Sequence, residues 1–342
     1  IKDAIYEIIA RKKFIPGGRF LAQAGRKFHQ TNNCFSGDTE IITKDGIFKL
    51  KDLVGKKIVV RNRFGEWSEA EVRYFGKQEI YDLVLSNGDI IHTTKDHRWW
   101  LEDNRRVLTD ELEYVILSDP KPFDMDEEGI RHGIIFGDGS LTTSKNYSYI
   151  IFVNENKARE LLKYFKDEEK EITLGFGAKR KYRTISKTKA GIKVSFQNPF
   201  YKEIPKQVSP EYARGFIAGL IATNGSIGSS VTIACEGLEK AKEIAKVAVL
   251  GGCVVSSVRI NSTVNPYNNE PREMCFIYIK PYSAPVIASY HKNKLSKNFR
   301  KIRMKISVED VIPTGRVEDV YCVVEPETES FVLANGVITS NC

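Results

Sequence analysis

Cys34-Phe35-Ser36-Gly37-Asp38-Thr39-Glu40-Ile41-Ile42-Thr43 opens the stretch whose texture decides the fold. Beyond it, short alternating apolar runs at 57–60, 70–75, 80–85 and 90–94 are separated by Gly, Asn and Asp. A period of two, rich in β-branched residues, predicts strands. Asn87-Gly88 between two runs predicts a tight hairpin, because such turns need positive φ. The same texture returns at 308–313, 320–324 and 330–334, with Asn335-Gly336 as a second turn. Two β-rich pieces around a segment of different texture predict one domain interrupted by another.

A chain of 342 residues exceeds the usual single-domain size, in keeping with that division. The intervening segment is an α/β text bounded on one side by Asp119-Pro120-Lys121-Pro122 and on the other near Phe299–Lys305. It carries a weak internal repeat: each half begins with a Gly-punctuated helix and continues through strands, an amphipathic helix (156–166 and 238–250) and more strands. Two such halves predict a pseudo-twofold domain suited to straddling duplex DNA. Between Lys121 and Arg300 there are 28 Lys+Arg against 18 Asp+Glu, so the chain's net charge of +8 belongs to this segment. A localised basic excess suggests a polyanionic partner, with a solvated basic surface as the plain alternative. Six cysteines without CxxC spacing indicate neither a zinc site nor a disulfide framework, and reduced thiols imply a cytoplasmic compartment. No apolar run reaches membrane-spanning length, and no membrane association is expected.

The chemistry concentrates at two peptide boundaries. The Cys34 thiol can attack the Asn33 carbonyl and convert the amide to a thioester by an N-to-S acyl shift. A free thiol has a pKa of about 8.5, so it needs activation near neutral pH, and the departing nitrogen needs a proton. His97 is the natural donor. Thr94, in Thr94-Lys95-Asp96-His97, can hydrogen-bond at the same bond, and Asp96 can orient the loop. The alternative for His97 is a buried ring bonded to a loop carbonyl. At the other boundary stand Ser340, Asn341 and Cys342.

Together these residues resemble an intein, over nearly everything from Cys34 to Asn341. The Cys34 phrase, the Thr94-x-x-His97 motif, Val320-Tyr321-Cys322-Val323-Val324, Ser330–Gly336 and Val337–Asn341 match that family's blocks in order. The resemblance implies an all-β, horseshoe-like splicing domain and autocatalytic, single-turnover splicing without a cofactor. In such splicing, Cys342 takes the acyl group and Asn341 cyclises to release the C-terminal flank. Three departures stand out: Ser340 replaces the usual penultimate His, Cys322 a frequent Asp, and Glu329 a frequent His. Asn341 therefore lacks its usual proton donors. Cys322 is read either as an inert buried thiol or as a member of the catalytic set. A hedgehog-like autoprocessing domain would share the Cys34 chemistry but does not require Asn341-Cys342.

Gly133-Ile134-Ile135-Phe136-Gly137-Asp138-Gly139 and Gly219-Leu220-Ile221-Ala222-Thr223-Asn224-Gly225 resemble the LAGLIDADG motif of homing endonucleases. That resemblance implies two close-packed helices whose ends bind a divalent metal such as Mg2+ through Asp138 and Asn224. An amide at Asn224 brings no negative charge, so one cleavage centre is impaired, and a DNA-binding but cleavage-dead or nicking insert is the alternative. Lys202 matches the family's catalytic lysine, and Lys179, Arg180, Lys181 and Arg183 form a run suited to DNA phosphates. The implied partner is double-stranded DNA of the intein-less host gene. Residues 1–33, with Ile15-Pro16-Gly17-Gly18-Arg19-Phe20 and an amphipathic helix ending near Lys13, resemble ribonucleotide reductase, of the adenosylcobalamin-dependent class. The expected organisation is a host fragment at 1–33, splicing segments at 34–120 and 301–341, the endonuclease-like insert at 121–300, and Cys342 as the first residue of the following flank. The host flanks act in cis, and the expected state is a monomer.

Overall fold

The computed structural model describes residues 34–141, 148–173, 177, 179–196, 199–264, 270–295 and 304–341. The expected N-terminal helix, Asn33 and Cys342 lie outside them. The described chain is mostly β, with few helices. It begins with β1 (Phe35–Ser36), β2 (Glu40–Thr43), β3 (Gly46–Lys49), β4 (Lys57–Arg61), β5 (Trp67–Leu85), β6 (Ile90–Thr93), β7 (Arg98–Trp100), β8 (Arg106–Leu108) and β9 (Tyr114–Ile116). The interior holds α1 (Glu127–Asp138), β10 (Ser140–Leu141), β11 (Ser148–Phe152), α2 (Glu155–Leu161), β12 (Glu169–Thr173), β13 (Lys179–Arg183), β14 (Ile185–Thr188) and β15 (Gly191–Phe196). It continues with α3 (Pro210–Asn224), β16 (Gly225–Ile227), β17 (Val231–Cys235), α4 (Leu238–Leu250), β18 (Val255–Val264) and β19 (Pro271–Ile279). The chain closes with β20 (Lys305–Val324), β21 (Ser330–Val332) and β22 (Ile338–Ser340).

Early and late strands share one sheet, ordered β3-β2-β4-β5-β6-β1-β20-β9, and β20 also pairs with β5. The runs expected separately at 70–75 and 80–85 are one strand, as are those at 308–313 and 320–324. The reason is mutual pairing: β20 follows β5 from Val308↔Leu85 to Val324↔Glu71. Gly76 (φ +85°) and Gly315 (φ +69°) sit where that register shifts, so left-handed residues form bulges instead of ending the strands. The two hairpin signals hold: Gly88 (φ +87°) donates to Leu85 O and Gly336 (φ +88°) to Leu333 O.

The interior repeat has a topological counterpart. Each half contributes a helix and a four-stranded antiparallel sheet with the same order, first-second-fourth-third: β10-β11-β15-β14 and β16-β17-β19-β18. Helix α1 starts at Asp126, whose carboxylate accepts from Gly129 N at 2.9 Å; α3 starts at Ser209, with Pro210 at its first position. The two helices meet through glycine. A Cβ at Gly133 would overlap the Phe216 carbonyl, and one at Gly219 the Ile130 carbonyl. Gly133 and Gly137 on α1, and Gly215 and Gly219 on α3, lie four residues apart, so each pair falls on one helical face and lets the backbones approach.

A buried side chain helps tie the β-rich part to the interior. Arg61 of β4 is fully buried and donates to Val249 O (2.7 Å) and Leu250 O (2.8 Å), carbonyls of the last turn of α4, where Gly252 N also donates to Val249 O. Its guanidinium lies 4.8 Å from the Trp67 ring. Burial pushes its pKa down to about 10, which still leaves it charged at neutral pH.

Candidate active site

Cys34 sits one residue before β1, and β1 lies between β6 and β20. The register Phe35↔Thr93 and Phe35↔Tyr321 brings Thr94 to one side of the junction and Cys322 to the other. Cys34 N–H donates to Thr94 Oγ1 at 3.1 Å, and its carbonyl accepts from Thr94 N (3.0 Å) and Thr93 Oγ1 (3.1 Å). The Cys34 nitrogen is thus anchored by Thr94, the residue the motif singled out. Cys34, Thr94, His97 and Cys322 are all buried.

His97 is held from several directions. Its N–H donates to Thr94 O at 3.2 Å, closing the Thr-x-x-His turn. Its ring lies 4.3 Å from the Phe35 ring and 4.8 Å from Trp99, and Phe35 also packs on Phe331. Trp99 Nε1–H donates to Thr109 Oγ1, whose hydroxyl serves the Thr94 and His97 carbonyls at 3.2 Å each. The imidazole is therefore packed against the residue next to Cys34. The plain alternative, a ring spent on a loop carbonyl, does not describe its Nε2, which meets Thr339 Oγ1 at 2.5 Å.

Thr339 brings in the second boundary. It lies in β22, which pairs with β21 at Phe331↔Thr339 and Ser330↔Ser340. Ser340 Oγ donates to Arg98 O at 2.7 Å, so this hydroxyl fastens β22 beside β7. Asn341 is buried, its backbone N–H donating to Glu329 O (3.1 Å) and its Nδ2 to Glu325 O (2.7 Å). The Glu329 carboxylate turns to Arg106, 3.0 Å away, while its left-handed backbone (φ +53°) presents the carbonyl to Asn341. The buried Glu325 carboxylate accepts from Glu327 N, Thr328 N and Thr328 Oγ1 at 2.7–2.9 Å and so fixes the loop that supplies the Asn341 acceptor.

Sequence reasoning missed Thr339, Glu325 and Thr109. Thr339 lies inside the Val337–Asn341 block without being singled out by it, and no motif marks Glu325 or Thr109; the available signals are a hydroxyl within a strand and a carboxylate before a turn. Asp96 is exposed and takes no part in the contacts that hold Cys34 and His97.

The interior candidates gather at the joined ends of α1 and α3. Asp138 Oδ2 meets Lys157 Nζ at 2.7 Å, and the same ammonium donates to Thr223 O at 3.1 Å; Asn224 is exposed beside it. Lys202 Nζ donates to Ile135 O, Phe136 O and Gly139 O at 2.6–3.2 Å, capping α1. Burial, and then Lys240, lower its pKa. The basic run of β13 pairs with β12: Lys179 meets Glu171 and Lys181 meets Glu169, each at 3.0 Å, and Arg183 meets Asp167 at 2.7 Å. Three of the four expected phosphate contacts are thus already ion-paired.

No family model matches the chain. It is similar to the ribonucleoside-diphosphate reductase large subunit of Invertebrate iridescent virus 6, 25% identical over 94% of this chain and 37% of that protein. The likeness extends well beyond residues 1–33, and the chain spans little more than a third of the relative's length. Among solved structures it is similar to the Ssp DnaB mini-intein variant M86 (11% identity, TM-score 0.32, 92% of this chain and 97% of that one). It is also similar to the N-terminal LAGLIDADG domain of DUF199/WhiA (18%, TM-score 0.27, 53% and 87%) and to variants of the homing endonuclease I-DmoI (13%, TM-score 0.28, 45% and 82%). These scores are too low to carry a functional reading, which rests on the side-chain geometry. Among the described residues no helix is long and apolar enough to cross a membrane.

Proposed function

We propose that this chain is an intein: a protein-splicing element that cuts at Asn33–Cys34 and Asn341–Cys342 and joins its flanks, with an insert that binds DNA. One observation carries the reading. Cys34, Thr94, His97, Thr339 and Asn341 span some 300 positions of sequence, yet a buried hydrogen-bonded set runs from Cys34 through Thr94 and His97 to Thr339, in the strand that leads directly into Asn341.

In the proposed sequence Cys34 Sγ bonds to the Asn33 carbonyl carbon and the C–N bond breaks, the nitrogen gaining a proton as the thiol loses one. Thr94 Oγ1 holds that nitrogen while amide resonance is lost. His97, packed on Phe35, is the group placed to move the proton. The acyl group passes to the Cys342 thiol and frees Cys34. Asn341 Nδ2 then attacks its own carbonyl, forming a succinimide and breaking the Asn341–Cys342 bond; an S-to-N shift restores an ordinary peptide. The Glu325 carbonyl orients Nδ2, and the missing penultimate His is offset through His97, which reaches the C-terminal strand by way of Thr339. Thr339→Val should shift the pH profile of both cleavages, whereas Thr339→Ser should restore it.

The host is a ribonucleotide reductase, and the interior segment, with its basic excess and glycine-packed helix pair, engages double-stranded DNA. Hydroxylamine treatment of an Asn341→Ala precursor tests the first step. Release of a fragment ending at Asn33 is expected; an intact chain under conditions that cleave a synthetic thioester contradicts the reading.

A further inference from the structure

The LAGLIDADG resemblance calls for a divalent cation between the ends of α1 and α3, and the residues present fit one poorly. Among the described residues no three His, Cys, Asp or Glu side chains gather. The one carboxylate at the helix ends, Asp138, is engaged by a side chain of the protein.

We infer that the Lys157 ammonium is the resident cation of the joined helix ends and excludes a divalent metal from Asp138. Nζ lies 2.7 Å from Asp138 Oδ2 at the end of α1 and 3.1 Å from Thr223 O at the end of α3. One positive charge thus bridges both helix termini, where unpaired carbonyls concentrate negative potential. These two oxygens, one charged and one neutral, are also what Asp138 and its neighbour would offer a metal. The lysine is held in place: α2, which carries it, begins at Asn154, whose side chain accepts from Asn156 N and Lys157 N. Both Lys157 and Asp138 are about 30% exposed, so a metal would have to displace the ammonium rather than bind beside it. Lys202 and Lys240 add to the barrier. Lys202 occupies the α1 carbonyls Ile135, Phe136 and Gly139, and Lys240 Nζ stands 4.9 Å from the Phe136 ring. A dication entering here meets three ammonium groups and a single carboxylate, because Asn224 supplies no charge. Resting on the reading of the interior as a DNA-engaging segment, the inference makes its grip on duplex independent of a hydrolytic metal at this centre.

The test is Mn2+ titration of the full chain, followed by the EPR signal of free Mn2+, with thermal melting as the folding control. The wild type should leave millimolar Mn2+ free. Lys157→Met should open a site, with affinity raised at least about tenfold once the competing charge is gone, and the added Asp138→Asn change should abolish it. Lys157→Gln serves as a second variant should the Met form melt early. Mn2+ bound by the wild type and lost with Asp138→Asn would overturn the inference. So would Lys157 variants that fold and still take up no Mn2+. The titration contains no DNA, so its outcome is separate from whether the interior segment binds duplex.

Discussion

The Cys34 junction and the ends of helices α1 and α3 are both places where distant residues of complementary chemistry meet, and they meet differently. At the junction, the hydrogen bonds of Thr94 and the stacking around His97 position the candidate reactive groups beside one another. At the helix ends the lone carboxylate is already paired with Lys157, and the lysine expected to act, Lys202, caps three carbonyls. Convergence alone therefore does not make a reactive centre. What matters is whether the groups that converge still have charge and hydrogen-bonding capacity left for a substrate.

The largest effect should follow Cys34→Ala, which removes the nucleophile. Thioester formation should vanish while the fold, read by thermal melting, persists; residual hydroxylamine-sensitive cleavage at this junction would erase the contrast. His97→Ala comes next, with a loss of about 10²–10⁴-fold in the first cleavage, the usual contribution of a positioned acid or base. A change below tenfold in single-turnover cleavage would place His97 in a packing role.

A third outcome concerns stability and sharpens the contrast from the other side. His132 on α1 is buried and neutral: one ring nitrogen meets Tyr212 Oη at 3.0 Å and the other the Glu203 carbonyl at 2.9 Å. Burial pushes its pKa down to about 4. Because the unfolded chain protonates near pH 6.5 and the folded chain only near 4, the unfolded state binds more protons between these values. Stability should fall as pH drops through that window, by up to about 3 kcal/mol. Denaturant melts of wild type and His132→Gln should converge at low pH; parallel curves would argue against it. The smallest effect is expected from Thr94→Val, which leaves the Cys34 N–H without its acceptor at a cost of about 1–3 kcal/mol. Splicing should slow by about tenfold or somewhat more, and an unchanged rate would remove Thr94 from the mechanism.

Much of this was legible in the sequence, for identifiable reasons. Hairpins at Asn87-Gly88 and Asn335-Gly336 follow from local backbone preference, and the Gly133 and Gly219 contacts from helical spacing. Thr94 and His97 could be picked out because their spacing is fixed within one local block, and Cys34 because it opens a phrase of its own. Continuous β5 and β20 were not legible, because Gly76 and Gly315 look like strand ends until the partner strand is known. Thr339, Glu325 and Lys157 act through contacts 242, 16 and 19 residues away, with no periodicity to mark them. The paired charges of β13 illustrate the same limit, since a basic run reads as a phosphate track until the facing acidic strand is seen.

The most direct measurement is the intact mass of products from a precursor carrying a foreign C-terminal extension after Cys342. Two species are expected: a free chain of residues 34–341 ending in a succinimide or its hydrolysed Asn, and residues 1–33 joined through Cys342 to the extension. A folded precursor that keeps its full mass, with Cys34 intact and reduced, would contradict that expectation.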